Sequence, residues 1–177
     1  MLIRICYYIT VSISKNVKRE HIIQILEKNE VDFLPVACPD AVAQTRKKDQ
    51  CFQPFNRHCD CDTTLGIIHR RKNIVTKGKL KRIKKLYSSQ EEVEKEVLRQ
   101  NEAWRDLMKK ERETQQWLNF LQELLTKIWR VNIIIHWQSN PFLIKRIEKI
   151  GHAEITPDLL LNIEEDVLYE FVKEKNY

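Results

Sequence analysis

Four of the five cysteines in this 177-residue chain, Cys38, Cys51, Cys59 and Cys61, fall in one short stretch, with His58 and His69 close by. Thiolates and imidazoles are the ligands of a tetrahedral zinc site. The spacing favours Cys51, His58, Cys59 and Cys61 as the candidate zinc ligands, with Cys38 the least favoured. A single Cys-x-Cys step is a weaker signal than two Cys-x-x-Cys knuckles, because ligands two residues apart strain the backbone that must turn both inward. The competing reading is that Cys59 and Cys61 alternate into a core as small apolar residues. His58 beside Cys59 also raises an activated thiol, but neighbours on an extended strand point to opposite faces.

The same stretch continues "DCDTTL". That pattern, DxDxT and then an aliphatic residue, resembles the first motif of the haloacid dehalogenase superfamily. The resemblance implies Asp60 as nucleophile and Asp62 as general acid and base, with Mg²⁺ bridging a phosphate. It further implies Ser139, Lys145 or Lys149, and the acids of "LLLNIEED", as downstream partners. The chain departs from the family before the motif, where "FQPFNRHC" stands in place of a buried apolar strand. It departs again after Ser139, where too few residues remain for the expected helix and strand. Without any chemistry, Asp62, Thr63 and Thr64 also suit the cap of a turn or helix start.

Basic residues follow at once. Arg70, Arg71, Lys72, Lys77, Lys79, Lys81, Arg82, Lys84 and Lys85 occur between His69 and Lys85 with no acid among them, whereas the net charge of the whole chain is only +6. The basicity is therefore local. Such a run can neutralise several phosphates, with binding that weakens steeply as salt rises. The anion-binding candidates are Arg70, Arg71, Lys72, Lys79, Lys81, Arg82, Lys84 and Lys85, for nucleic acid or another polyanion. An acidic protein, the acidic parts of a second copy, or bulk solvent would satisfy the same charges.

These residues must be positioned by ordinary elements. Hydrophobic residues are 42% and charged residues 32% of the chain, with three glycines and five prolines, the composition of one folded domain with short connections. No secretory leader and no membrane-length apolar run are visible. The expectation is a cytoplasmic protein whose cysteines are thiols or metal ligands.

Residues 2–14 alternate, with Ile3, Ile5, Tyr7, Ile9, Val11 and Ile13 on one face, and read as a half-buried strand. Asn16 is placed to cap a helix over "VKREHIIQILEKNE". "VDFLPVA" reads as a second strand, with Pro35 suiting an edge. Gln50–Phe55 and "GIIHRRKNIV" are further short candidates, and "RVNIIIHWQS" is a clear strand. Ser89 and Glu92 form a capping box that opens a helix over 88–129. Its heptad seam runs through Val93, Val97, Gln100, Trp104, Leu107, Glu111, Thr114, Leu118, Leu121, Leu125 and Ile128, with polar residues near its middle.

At 1.5 Å per residue that helix would span about 60 Å, longer than a compact domain of this size, which is about 40 Å across. It must project and find a partner, a homodimer through residues 93–128 being the simplest, or break near "KKERET". Otherwise it curves and packs on its own sheet. Thr156, Pro157 and Asp158 open a helical tail, with Leu160, Ile163, Val167 and Phe171 as its apolar face.

The expected fold class is α+β: a small mixed or antiparallel sheet, ferredoxin-like in order, with one long amphipathic helix and a C-terminal helical tail. Residues 1–177 form a single domain in which 56–87 is a Cys/His and basic insertion. The favoured function is a non-catalytic binding or regulatory protein, zinc-stabilised, with the basic segment docking an anionic partner. The alternatives are a metal-dependent hydrolase or phosphotransferase using Asp60 and Asp62, and a purely structural protein that dimerises through its long helix.

Overall fold

In the computed structural model, the residues described are 7–14, 17–32, 34, 36, 44–45, 49–54, 60, 63–65, 75, 77–137 and 143–173. The elements in chain order are β1 (Tyr7–Ser14), α1 (Arg19–Lys28), β2 (Asp49–Phe52), α2 (Lys77–Leu86), α3 (Gln90–Lys110), α4 (Arg112–Lys127), β3 (Arg130–Trp137), β4 (Arg146–Gly151), α5 (Pro157–Leu161) and β5 (Val167–Val172). A one-turn 3₁₀ segment, His152–Glu154, precedes α5. The five strands form one mixed sheet in the order β2-β1-β3-β5-β4, antiparallel except for the parallel β5–β4 pair. The α+β class expected from the chain is therefore correct.

The alternation that predicts β1 also sets its register. Ile9, Val11 and Ile13 lie opposite Ile135, Ile133 and Val131 of β3, and all six side chains are fully buried in one core with Tyr169 and Phe171 of β5. Ile22, Ile25 and Leu26 of α1 close that core, as do Trp117, Phe120, Leu121, Leu124 and Leu125 of α4. The spacing of these α4 residues is the apolar stripe of a helix lying on a sheet. Trp117 meets Phe120 edge-to-face at 5.9 Å, a favoured aromatic geometry.

The segment 88–129 is two helices. The capping box forms as expected: the Glu92 amide donates to Ser89 Oγ at 3.1 Å, and the Ser89 amide donates to Glu92 Oε2 at 3.1 Å. The helix then breaks inside "KKERET" at Glu111, which is extended (φ −63°, ψ 140°). No glycine or proline causes the break. Met108 O accepts both the Glu111 amide (3.2 Å) and the buried Thr114 hydroxyl (2.8 Å), so one carbonyl ties off α3 and steers the chain into α4. Leu121, Leu125 and Ile128, the C-terminal half of the heptad seam, are buried in the chain's own core. Only the half on α3 remains for a partner.

Three further expectations change. α1 begins at Arg19 with Lys18 at its N-cap and no side-chain cap; Asn16 lies outside the described residues. Of "VDFLPVA", the described part contributes a single bridge, Leu34 to Gln53, and β2 supplies the strand beside β1. The C-terminal helical tail is also corrected. The Thr156 hydroxyl caps Leu159 N at 3.2 Å with Pro157 behind it, as expected, but α5 ends at Leu161. After Asp166 at φ 61°, Val167–Val172 is a strand. Six consecutive buried residues carry no period, and such a run cannot be told from a buried helix by pattern alone.

Candidate anion-binding helix and a buried polar face

The sequence "KGKLKRIKKL" of α2 has strong helix formers after its glycine and three apolar positions three apart, Leu80, Ile83 and the exposed Leu86. Leu80 and Ile83 turn inward to join Val75, Val93 and Val97 in a small cluster separate from the main core. This docking fixes which face is outward. Lys77, Lys79, Lys81, Arg82, Lys84 and Lys85 are all exposed. Lys84 and Lys85 lie in the last turn, where the helix dipole favours positive charge. Among the described residues, Lys77, Lys81, Arg82, Lys84 and Lys85 make no ion pair.

The acids of α3 form no ion pair with these five cations, and Glu92, Glu94 and Glu96 are already hydrogen-bonded locally. Glu92 closes the capping box, and the Ser89 amide holds its carboxyl below the usual range. Glu96 receives two hydrogen bonds from Arg99 (2.7 and 2.8 Å) and one from Gln100 (2.6 Å), which lower its pKa to about 2, Arg99 being the larger cause. Between α2 and α3 runs a groove of about 390 Å³ lined by Leu80, Lys84, Val93, Glu94, Val97 and Leu98, with Gln90 and Asn101 at its ends.

Of the other anion-binding candidates, Arg70, Arg71 and Lys72 lie outside the described residues. So do Cys38, His58, Cys59, Cys61, Asp62 and Ser139. Cys51 is half-buried on β2, its Sγ 3.2 Å from Thr45 Oγ1. Among the described residues, no three His, Cys, Asp or Glu side chains converge as a metal site.

Asp60 is described, and its position is that of an anchor. It is fully buried. Its Oδ2 accepts the Ile9 amide of β1 at 2.7 Å and Gln53 Nε2 at 3.5 Å. The Thr63 amide (3.1 Å) and hydroxyl (2.7 Å) donate to the Asp60 carbonyl. The Thr64 hydroxyl donates to Glu113 Oε2 of α4 at 3.2 Å, and Leu65 enters the core. The described part of "DCDTTL" thus stitches β1 to α4.

The sheet's second face holds polar residues that reasoning from the sequence did not assemble. The register lines up Cys51, Ser12, Asn132, Glu170 and Lys149 in one row across all five strands. In an antiparallel sheet the face away from the core is ordinarily wet. Here Ser12, Asp49, Arg130, Asn132, His136 and Glu170 are buried. Arg130 Nη2 donates to Asp49 Oδ1 at 2.8 Å, and Arg130 Nη1 lies 3.7 Å from Glu170 Oε2. Asn132 Nδ2 donates to Ser12 Oγ at 2.8 Å and to Asp49 Oδ2 at 3.2 Å. His136 Nε2 is 3.0 Å from Thr10 Oγ1, and its ring stacks on Tyr8 at 6.1 Å.

Chemically this is a carboxylate–guanidinium–carboxylate triad. A cation already sits between the acids, so the arrangement suits fixing a sheet more than holding a metal. The signal was present as polar residues at every second position of two otherwise apolar strands, Thr10 and Ser12 in β1 and Arg130 and Asn132 in β3. Among the described residues, no helix is long and apolar enough to cross a membrane. Compared with known proteins, the chain matches no family model, no curated relative and no solved structure.

Proposed function

We propose that this is a non-catalytic binding protein that docks an anionic partner on α2, with nucleic acid among the candidate partners. The observation that carries the reading is the set of five exposed cations on one ten-residue helix that no carboxylate of the described residues neutralises. Several cations elsewhere on the surface are paired: Lys28 with Glu123, Lys145 with Asp166, and Arg146 with Glu148 and Glu164. Other unpaired cations, such as Lys18, Lys127 and Lys173, are scattered, whereas α2 gathers five on one helix whose docking on α3 presents them outward. The zinc expected at Cys51, His58, Cys59 and Cys61 would act as a staple of the preceding segment and takes no part in binding.

The test is binding of a duplex DNA oligonucleotide, and of heparin, across a salt series. Lys81→Glu/Lys84→Glu/Lys85→Glu is compared with Lys18→Glu/Lys127→Glu/Lys173→Glu, which changes the net charge equally. Each lost phosphate contact lowers the slope of log K against log salt by about 0.9 on duplex DNA, so the α2 variant should lose roughly 2 to 3 units of slope. Equal losses in both variants would show that net charge alone does the binding, and the reading would fail.

A further inference from the structure

We infer that the groove between α2 and α3 receives the apolar face of an acidic amphipathic helix from a protein partner. The inference rests on the anionic-partner reading and names the partner's class. Cations alone suit any polyanion, but these flank a groove whose wall is mainly aliphatic, with Lys84, Gln90, Glu94 and Asn101 as its polar members. Leu80, Val93, Val97 and Leu98 make its wall, and Leu98 is 58% exposed. Lys77 and Lys81 precede Leu80 and Lys84 by three residues and so stand on the same side of α2. The surface therefore offers an apolar trough whose α2 side is positive, with Glu94 the one carboxylate on its α3 side. Its complement is a segment with carboxylates along one side and aliphatic or aromatic side chains three and four residues apart on the other.

Size and polarity agree with that occupant. A cavity of about 150 Å³ takes one benzene ring, so 390 Å³ accommodates two large side chains, too few for a folded domain and suited to the anchors of one helix. At the end of the groove Asn101 Oδ1 is buried with no hydrogen-bond partner. α3 itself gives the second reason. Over 21 residues it buries only Val93 and Met108 among its hydrophobic side chains, and a helix of that length with so little packing gains most from a partner.

The experiment selects peptides from a displayed library of random sequences about 16 residues long on the full chain, with counter-selection on Leu98→Glu. The retained sequences should be acidic, with apolar residues at i and i+3 or i+4. A synthetic copy should bind roughly tenfold or more weakly to Leu98→Glu and to Lys81→Glu/Lys84→Glu, and equally well to Leu107→Glu, whose residue is exposed outside the groove. Circular dichroism confirms folding, with Leu98→Ala as the milder variant.

Peptides without acids, or indifferent to Leu98, would overturn the inference. So would duplex DNA binding that depends on α2 while no peptide is retained, an outcome that leaves the anionic-partner reading standing. Sedimentation of the protein alone as a dimer that Leu98→Glu dissociates would make the occupant a second copy, and the inference would again fall. Loss of both peptide and DNA binding would remove both readings.

Discussion

Replacing Arg130 with Met should be among the most damaging single changes in the sheet. The side chains of Asp49, Glu170 and Arg130 are only 2%, 5% and 9% exposed. Without the guanidinium, two carboxylates remain in a space closed to water. Asp49 keeps its neutral contacts with Ser12 and Asn132. Glu170 keeps Lys149 Nζ at 3.9 Å, a lysine that is largely solvated. Removing one partner of a buried ionic group costs about 3–5 kcal/mol, because the uncompensated charge stays behind.

With a urea m-value near 2–3 kcal/mol/M, the unfolding midpoint should fall by roughly 1 to 2.5 M at neutral pH. The triple change Asp49→Leu, Arg130→Met and Glu170→Leu removes every charge of the triad, and such replacements are often neutral or stabilising. Its midpoint should recover to within about 0.5 M of the parent protein. The reasoning is wrong if Arg130→Met costs less than about 1 kcal/mol, or if the triple variant is as unstable as the single one.

Other perturbations separate roles that the chain alone leaves open. Leu121→Ala should cost about 2–5 kcal/mol by leaving a core cavity, whereas Leu107→Ala on the exposed face of α3 should stay within about 0.5 kcal/mol; similar costs in thermal unfolding would put both in the same environment. Asp60→Ala strands the Ile9 amide and should destabilise by about 1–3 kcal/mol, while Asp60→Asn retains an acceptor and should cost less; a nucleophile without a structural role would show neither effect. The lowered pKa of Glu96, about 2, should rise toward the usual carboxylate range in Arg99→Ala, as read by NMR titration. Because its folded value is depressed, Glu96 contributes stability above its unfolded pKa of about 4.3 and loses it as pH falls through about 2.

Elements with a clear pattern were legible in the chain, even where both faces are buried as in β1. β1 alternates, β3 follows from its isoleucines, and the Ser89 and Thr156 caps form where their side chains demand. Elements without such a pattern were not. β5 lacks a period, so the proline and threonine that open α5 extended a helix over residues that pair as a strand. The break at Glu111 was foreseeable only from length, since the hydrogen bonds to Met108 O that make it depend on Thr114, a residue with no breaker signature. Of the candidate site, the basic residues of α2 were visible as composition. The groove beside them was not, because it depends on how Leu80 and Ile83 set the helix against α3. The Asp49–Arg130–Glu170 triad joins residues far apart in sequence through strand register, which local pattern cannot supply.

The extended residue at Glu111 also divides the protein into two levels of resistance to opening. On its C-terminal side α4 is sealed under Trp117, Phe120 and Leu124, so its amides should exchange with solvent only when the sheet itself unfolds. On the N-terminal side α2 and the start of α3 are held by a small cluster around Ile83 and Val93, and their amides should exchange through a smaller opening that leaves the sheet intact. The surface that carries the charge can then fray, re-form and accumulate substitutions without endangering the rest, and a protease would cut first between Lys110 and Arg112.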